Sequence, residues 1–261
     1  MLSAVIFVSR ARWRKMPDGK PAPKQNAKFV GRIGFVIPGF VDPQPVEAVA
    51  EFITTLRLDL FFELAAIFIS AVAGGLAGIR KGLDVFGVVV LAWAASLAGG
   101  VLRDVMIGAI PPVGISNWRF MLSAVGGGIV VFFLYPWIAH RTKAIVILDA
   151  FALALFVWVG TVKGLEYGMG TMASAIAGLV TGIGGGVVRD LFTDNVPLVL
   201  SDRQFYAIPA CVGAIATVLF ARYGLLNDWA ALVVIAGVAG FRLVALKFHW
   251  AVPAPHAKMT S

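Results

Sequence analysis

Apolar residues run along this chain in long unbroken stretches. They show neither the spacing of a water-facing helix nor the alternation of a half-buried strand. Seven stretches stand out, at residues 60–79, 85–102, 120–139, 144–162, 167–188, 204–221 and 229–246. A bilayer core about 30 Å thick needs about 20 mostly apolar helical residues, so each stretch is predicted to be a membrane-spanning helix. A membrane barrel would instead show runs of about 10 residues alternating polar and apolar. The second, third, fifth and sixth stretches carry no charge, and the other three carry one each: Glu63, Asp149 and Arg242. The connections are short. The pattern therefore predicts an all-α polytopic membrane protein with seven transmembrane helices.

Composition agrees: 59% of residues are hydrophobic and 14% charged, against about 25% charged in a soluble domain. Too few charges remain to cover a water-soluble monomer, and the hydrophobicity excludes a disordered chain. The single cysteine, Cys211, excludes a disulfide scaffold and reads as a packing residue. His140, His249 and His256 have no metal-ligand spacing, and no phosphate loop or nucleophile–base signature is present. No enzyme activity, cofactor or metal is expected.

The net charge of +8 suggests a nucleic-acid partner until the charges are placed. Residues 1–58 hold nine Lys or Arg against four Asp or Glu, with Pro17, Pro21 and Pro23 among them. This segment is expected to be a basic extension, disordered or resting on anionic headgroups, so no nucleic acid is expected. Its opening residues 1–9 are apolar but precede the basic region, the reverse of a secretory signal. Orientation follows the Lys and Arg of short loops and helix ends. One side has Arg57, Arg103, Arg119, Lys163 and Arg222; the other has Arg80, Lys81, Arg141, Lys143, Arg189, Arg203, Arg242 and Lys247. The heavier side is expected to be cytoplasmic, which places the C-terminus inside and the N-terminus outside.

The chain also repeats itself. Gly99-Gly100-Val101-Leu102-Arg103-Asp104 recurs as Gly185-Gly186-Val187-Val188-Arg189-Asp190, 86 residues later. The same offset takes Pro111 to Pro197 and Phe120 to Tyr206, while Asp59 matches Asp149 at an offset of 90. Helices one to three thus resemble helices four to six, and the seventh is extra. Three spans duplicated in one chain must enter the membrane from opposite sides, giving an inverted 3+3 repeat of the kind transporters and related channels use. The expected organisation is an extension at 1–58, a first repeat at 59–142, a second at 143–223, the seventh helix at 224–250 and a tail at 251–261.

The candidate pathway follows from the repeat. Gly99, Gly100, Gly184, Gly185 and Gly186 sit late in the second and fifth helices, where glycine lowers the cost of leaving helical geometry. A break there exposes backbone groups that membranes tolerate only when buried in protein or lining water. The alternative is that these glycines let helices pack closely. Arg103 and Arg189 follow one turn later, with Asp104 and Asp190 directly after. Adjacent residues on a helix diverge by about 100°, so each Arg could pair with its neighbouring Asp or with the Asp of the other repeat. Intramembrane charges are costly, which adds Glu63 and Asp149 as polar lining or as partners for Arg242. Arg242, near a helix end, is expected to snorkel.

Seven spans, a 3+3 repeat and two GG-x-x-R-D motifs, with Arg80-Lys81-Gly82-Leu83-Asp84 and Val196-Pro197-Leu198-Val199-Leu200, resemble the bacterial branch of the trimeric intracellular cation (TRIC) channel superfamily, also called glycine-transporter-like. The resemblance covers residues 59–250 and leaves the basic extension unexplained. It implies a homotrimer in the bacterial inner membrane, a pore in each protomer, and kinks at the glycine motifs. Animal relatives carry a different, lysine-containing motif there, so their gating is not carried over. Two functions follow: a monovalent cation channel, conducting potassium, or a carrier of glycine or another small zwitterion. Arginines facing a narrow path repel cations and would suit a carboxylate, but neighbouring carboxylates can offset them. The channel is the expected function.

Overall fold

The computed structural model describes residues 58–138, 143–201, 206–248 and 250. The basic extension up to Arg57, the tail after Trp250, Arg141, Arg203, all three histidines and the side chain of Asp59 lie outside the described residues. The long helices are α1 (Leu58–Arg80), α2 (Val85–Met106), α3 (Trp118–Ile138), α4 (Ala144–Glu166), α5 (Thr171–Phe192), α6 (Ala207–Arg222) and α7 (Asp228–Lys247). Four-residue helices, Val113–Ser116 and Leu198–Ser201, follow α2 and α5. All long helices except α6 are long and apolar enough to cross a membrane. The 16 residues of α6 reach only about 24 Å at 1.5 Å per residue.

Helices extend beyond their hydropathy windows, and in two of them the extension matters. α2 runs on to Met106 and α5 to Phe192, so both Arg-Asp pairs are helical. Apolar windows stop at such charges, whereas the helix continues because the charges find partners. Local signals fix the ends. Asp84 Oδ1 accepts the Gly87 N–H at 2.8 Å to start α2, and Asn227 Oδ1 accepts that of Ala230 at 2.9 Å to start α7. Gly82 and Gly168 close α1 and α4 at φ 82° and 73°. Gly108 and Asp194 play the same part after α2 and α5 at φ 75° and 55°. Both pairs are 86 residues apart, and left-handed backbone favours Gly, then Asn or Asp.

The repeats meet through glycine. A Cβ on Gly99 would strike the Thr181 carbonyl oxygen, and one on Gly185 would strike that of Ala95. Exchanging the repeats converts one contact into the other, so α2 and α5 cross antiparallel about a pseudo-two-fold axis. Within the repeats, a Cβ on Gly74 would come within 3.3 Å of Ala92 Cα, and one on Gly160 within 2.9 Å of Gly178 Cα. These pairs are again related by 86. The glycines are therefore points of backbone approach, and α2 and α5 run through them without the expected interruption. Dispersion and close fit, rather than solvent exclusion, hold helices together in lipid, and a glycine crossing maximises both.

α4 is the hub. It packs on α5, α1, α7 and α6, and 72% of its membrane window is buried against 22% for α3. α3 presents Leu122, Ile129, Phe133 and Trp137 outward. Hydroxyls inside the bundle bond to carbonyls one turn back, as for Thr161 on Val157 at 2.7 Å and Thr181 on Ala177 at 2.6 Å. Among the described residues no buried Ser or Thr hydroxyl is left without a partner, as a membrane interior requires.

Gly99→Ala and Gly185→Ala should each destabilise the protein by about 3 kcal/mol, the upper end of the usual overpacking cost, because a carbonyl of the facing helix cannot swing aside. At Gly100 a Cβ meets only Arg103 Nη2, at 3.8 Å, so Gly100→Ala should be neutral or stabilising by about 1 kcal/mol. Thermal unfolding in detergent reads the contrast; equal losses at Gly99 and Gly100 would refute the packing account.

Candidate functional site

The motif arginines stand on opposite sides of the glycine crossing. Each lies about 9 Å beyond its midpoint at 1.5 Å per residue, so the two are about 18 Å apart along the helices. Both are buried, Arg103 to 1% and Arg189 to 2% exposure.

In the first repeat, Arg103 Nε donates to Asp104 Oδ1 at 2.9 Å, and Nη2 donates to Glu63 Oε1 at 2.9 Å. In the second, Arg189 Nε donates to Asp190 Oδ1 at 2.8 Å, and Nη1 donates to Asp149 Oδ1 at 2.7 Å. Each Arg thus pairs with the adjacent Asp and with a carboxylate 40 residues upstream; neither reaches across to the other repeat. The reason is local. A long guanidinium folds sideways along its helix to the next residue, and the crossing carries the other repeat's Asp away.

These pairings revise the repeat register. Glu63 and Asp149 are the equivalent carboxylates, at the common offset of 86, and the Asp59–Asp149 match at 90 is replaced. The loops correct by one residue as well. Asp104 Oδ2 accepts the Val113 N–H at 2.8 Å, and Asp190 Oδ2 accepts that of Leu198 at 2.9 Å. Pro112, not Pro111, therefore corresponds to Pro197. Each motif Asp spends one oxygen on its Arg and the other on the first turn of a short helix, tying the loop to the buried charge.

The halves then diverge. Lys163 of α4 joins the first cluster, its Nζ 3.3 Å from Asp104 Oδ1 and 3.9 Å from Glu63 Oε1. A cavity of about 250 Å³ opens beside it, lined among others by Glu63, Asn117, Phe120, Lys163 and Glu166. In the second half Tyr206 stands where the first has Phe120. A Cβ on Gly186 would come within 2.9 Å of the Tyr206 hydroxyl and 3.2 Å of Asp149 Oδ1, so this position is filled where that over Gly100 is open. Arg242 does not snorkel. It is fully buried, and its guanidinium lies 4.6 Å from the centroid of the Tyr206 ring, a cation–π contact.

Of the residues singled out from the sequence, Glu63, Arg103 and Asp104 form one cluster and Asp149, Arg189 and Asp190 the other. Gly99, Gly184 and Gly185 form the crossing between them, and Gly100 and Gly186 flank the arginines. Lys163, Phe120 and Tyr206 were not anticipated as site residues, and Arg242 was expected to snorkel or to partner Glu63 or Asp149. The clue to Lys163 was its lack of a counterpart: the offset of 86 leads back to Ala77. Among the described residues no His, Cys, Asp and Glu group has the makings of a metal site.

A double-mutant cycle of Arg189→Gln with Asp149→Asn should give a coupling of about 1–3 kcal/mol, whereas Arg103→Gln with Asp190→Asn should be additive within about 0.5 kcal/mol. Unfolding of the four purified variants and both doubles measures this, and strong coupling in the second cycle would contradict pairing within repeats.

The family model described as "Glycine transporter" matches the chain twice, at residues 60–136 and 146–222, a separation of 86 at both ends. A membrane protein of Deinococcus radiodurans is 33% identical over 62% of this chain and 76% of its own length. An inner membrane protein of Escherichia coli K12 is 24% identical over 74% of this chain and 94% of its own. Among solved structures, the TRIC trimeric intracellular cation channel orthologue from Rhodobacter sphaeroides superposes with a TM-score of 0.72 at 27% identity, covering 75% of this chain and all of that one. A prokaryotic TRIC channel crystallised in 0.5 M KCl gives 0.68 at 29% identity, covering 75% and 98%. The duplicated match, laid on the same two helical repeats, makes this chain a multi-pass membrane protein of the glycine-transporter-like, bacterial branch of the TRIC channel superfamily.

Proposed function

We propose that the protein is a monovalent cation channel, potassium being the ion it carries, with a path in each protomer of a homotrimer running along α2 and α5 past the two charge clusters. One observation carries the choice of a cation over a zwitterion: each motif arginine is bonded to two carboxylates. Arg103 with Glu63 and Asp104 sums to −1, as does Arg189 with Asp149 and Asp190. Neither arginine offers an uncompensated positive charge to a carboxylate ligand or a barrier to a cation. Lys163 brings the first group to neutrality, and neutral is still no barrier. Arg103 Nη1 and Arg189 Nη2 are buried without a hydrogen-bond partner among the described residues; a guanidinium nitrogen so placed in a membrane is tolerable where water reaches it. The solved neighbours are cation channels, which supports the same reading.

The proposed orientation is N-terminus outside and C-terminus inside. Arg103, Lys163, Arg189 and Arg242 are buried in the bundle and leave the loop tally. Arg57, Arg119 and Arg222 then stand against Arg80, Lys81, Arg141, Lys143, Arg203 and Lys247, a clearer excess on the cytoplasmic side.

Purified protein in liposomes should carry potassium down its gradient, and labelled glycine should not accumulate or exchange; glycine uptake without potassium current would overturn the channel reading. A reporter fused after Lys247 should be cytoplasmic and one inserted after Met106 external, and the reverse pattern would overturn the orientation.

A further inference from the structure

The two halves hold their motif arginine alike but differ in the cation beside it. Lys163 approaches the same oxygens that Arg103 uses, Asp104 Oδ1 and Glu63 Oε1, at 3.3 and 3.9 Å, where Arg103 is at 2.9 Å from both. Charge-assisted N–H···O bonds of full strength are about 2.7–2.9 Å, so Arg103 is fixed and Lys163 is loosely held. Its chemistry suits displacement: an ammonium is a compact point charge on a flexible four-carbon stem, unlike the planar fork of Arg. Its position suits displacement too. Lys163 and Glu63 are 13% and 14% exposed while Asp104 is fully buried, and both line the 250 Å³ cavity. The second half has Ala77 at the equivalent place, and its own further cation, Arg242, is a fully buried guanidinium over the Tyr206 ring.

We propose that Lys163 is a tethered competitor for the permeant ion: its ammonium occupies the Glu63–Asp104 oxygens that a monovalent cation meets on leaving the cavity. The proposal rests on the cation-channel reading. The physical basis is that an ammonium and a monovalent metal ion each place a single compact positive charge among oxygen ligands, and weak, exchangeable binding is what conduction requires. With Lys163 in place the first cluster is neutral. With Lys163 swung aside, Glu63, Asp104 and Arg103 sum to −1, and one cation restores neutrality. Lys163 therefore sets how readily the first half accepts an ion, and it makes the two ends of the path unequal.

A ligand that must displace a group occupying its site about 90% of the time binds roughly tenfold more weakly in appearance. Full-length wild type, Lys163→Met, Lys163→Gln and the double variant Lys163→Met with Glu63→Gln are purified in detergent. Their thermal unfolding is followed against KCl, with choline chloride at matched ionic strength. Ligand linkage makes the unfolding temperature rise with a bound ion. Both single variants should show potassium-specific stabilisation that saturates at roughly tenfold lower concentration than any seen in wild type, and the double variant should lose it. In liposomes the single variants should reach half-maximal potassium flux at correspondingly lower concentration. Equal potassium dependence in wild type and both single variants overturns the proposal. So does failure of both variants to fold even in high KCl, which would make Lys163 a structural cation. Potassium-specific stabilisation of the variants with no flux from any protein overturns the channel reading, and with it the permeant-ion part of this proposal, leaving Lys163 a competitor for a bound potassium ion.

Discussion

An arginine inside a membrane can neither shed its proton nor stand alone, and this constraint organises each repeat. The neighbouring Asp alone neutralises the charge but leaves further N–H donors to satisfy. The second acceptor comes from 40 residues upstream, near the start of the repeat's first helix. Satisfying the guanidinium therefore clamps the start of α1 against the end of α2, and the start of α4 against the end of α5. The remaining oxygen of the Asp captures the first turn of the short helix that follows. One buried charge fixes two helices and a loop. Removing either carboxylate leaves an uncompensated ion, which costs far more than the pair contributes when intact.

The second organising element is steric. The clusters are separated by a crossing at which Gly99 and Gly185 face carbonyls of the opposite helix. No other residue fits there, so the repeats are held at backbone distance and their charge clusters at a set separation. The hub helix α4 carries a cluster member toward each end, Asp149 near its start and Lys163 in its last turn, and connects the two through a wholly buried stretch that includes Trp158.

The spans, the duplication and the GG-x-x-R-D motifs were legible in the sequence because each is a pattern along one dimension. What remained hidden needed the third. Matching Asp59 to Asp149 favoured identity of residue type, whereas the fold matches reach: Glu63 and Asp149 both place an oxygen on the arginine one helix away. The glycines announced that no Cβ is present but not what lies opposite. A facing backbone makes Gly99 a packing residue, and near-open space leaves Gly100 without that duty. Arg242 sits near a helix end, where lipid-facing arginines reach for headgroups, yet that end abuts Tyr206. Lys163 escaped notice because a search for self-similarity discards whatever occurs once.

Duplication supplies two equivalent clusters, and a symmetric path would treat an ion alike from either side. Three departures from symmetry fall beside the charge clusters: Phe120 against Tyr206, Ala77 against Lys163, and the added α7 that brings Arg242 over Tyr206. In one half an aromatic hydroxyl and a stacked guanidinium fill the space over Gly186; in the other a cavity and a loosely held ammonium border the buried pair. The repeated residues thus set the scaffold and its charge balance, and the unrepeated ones give its two ends different access and different field. Any difference between the two ends arises from unmatched side chains such as these, since everything the repeats share is the same viewed from either end.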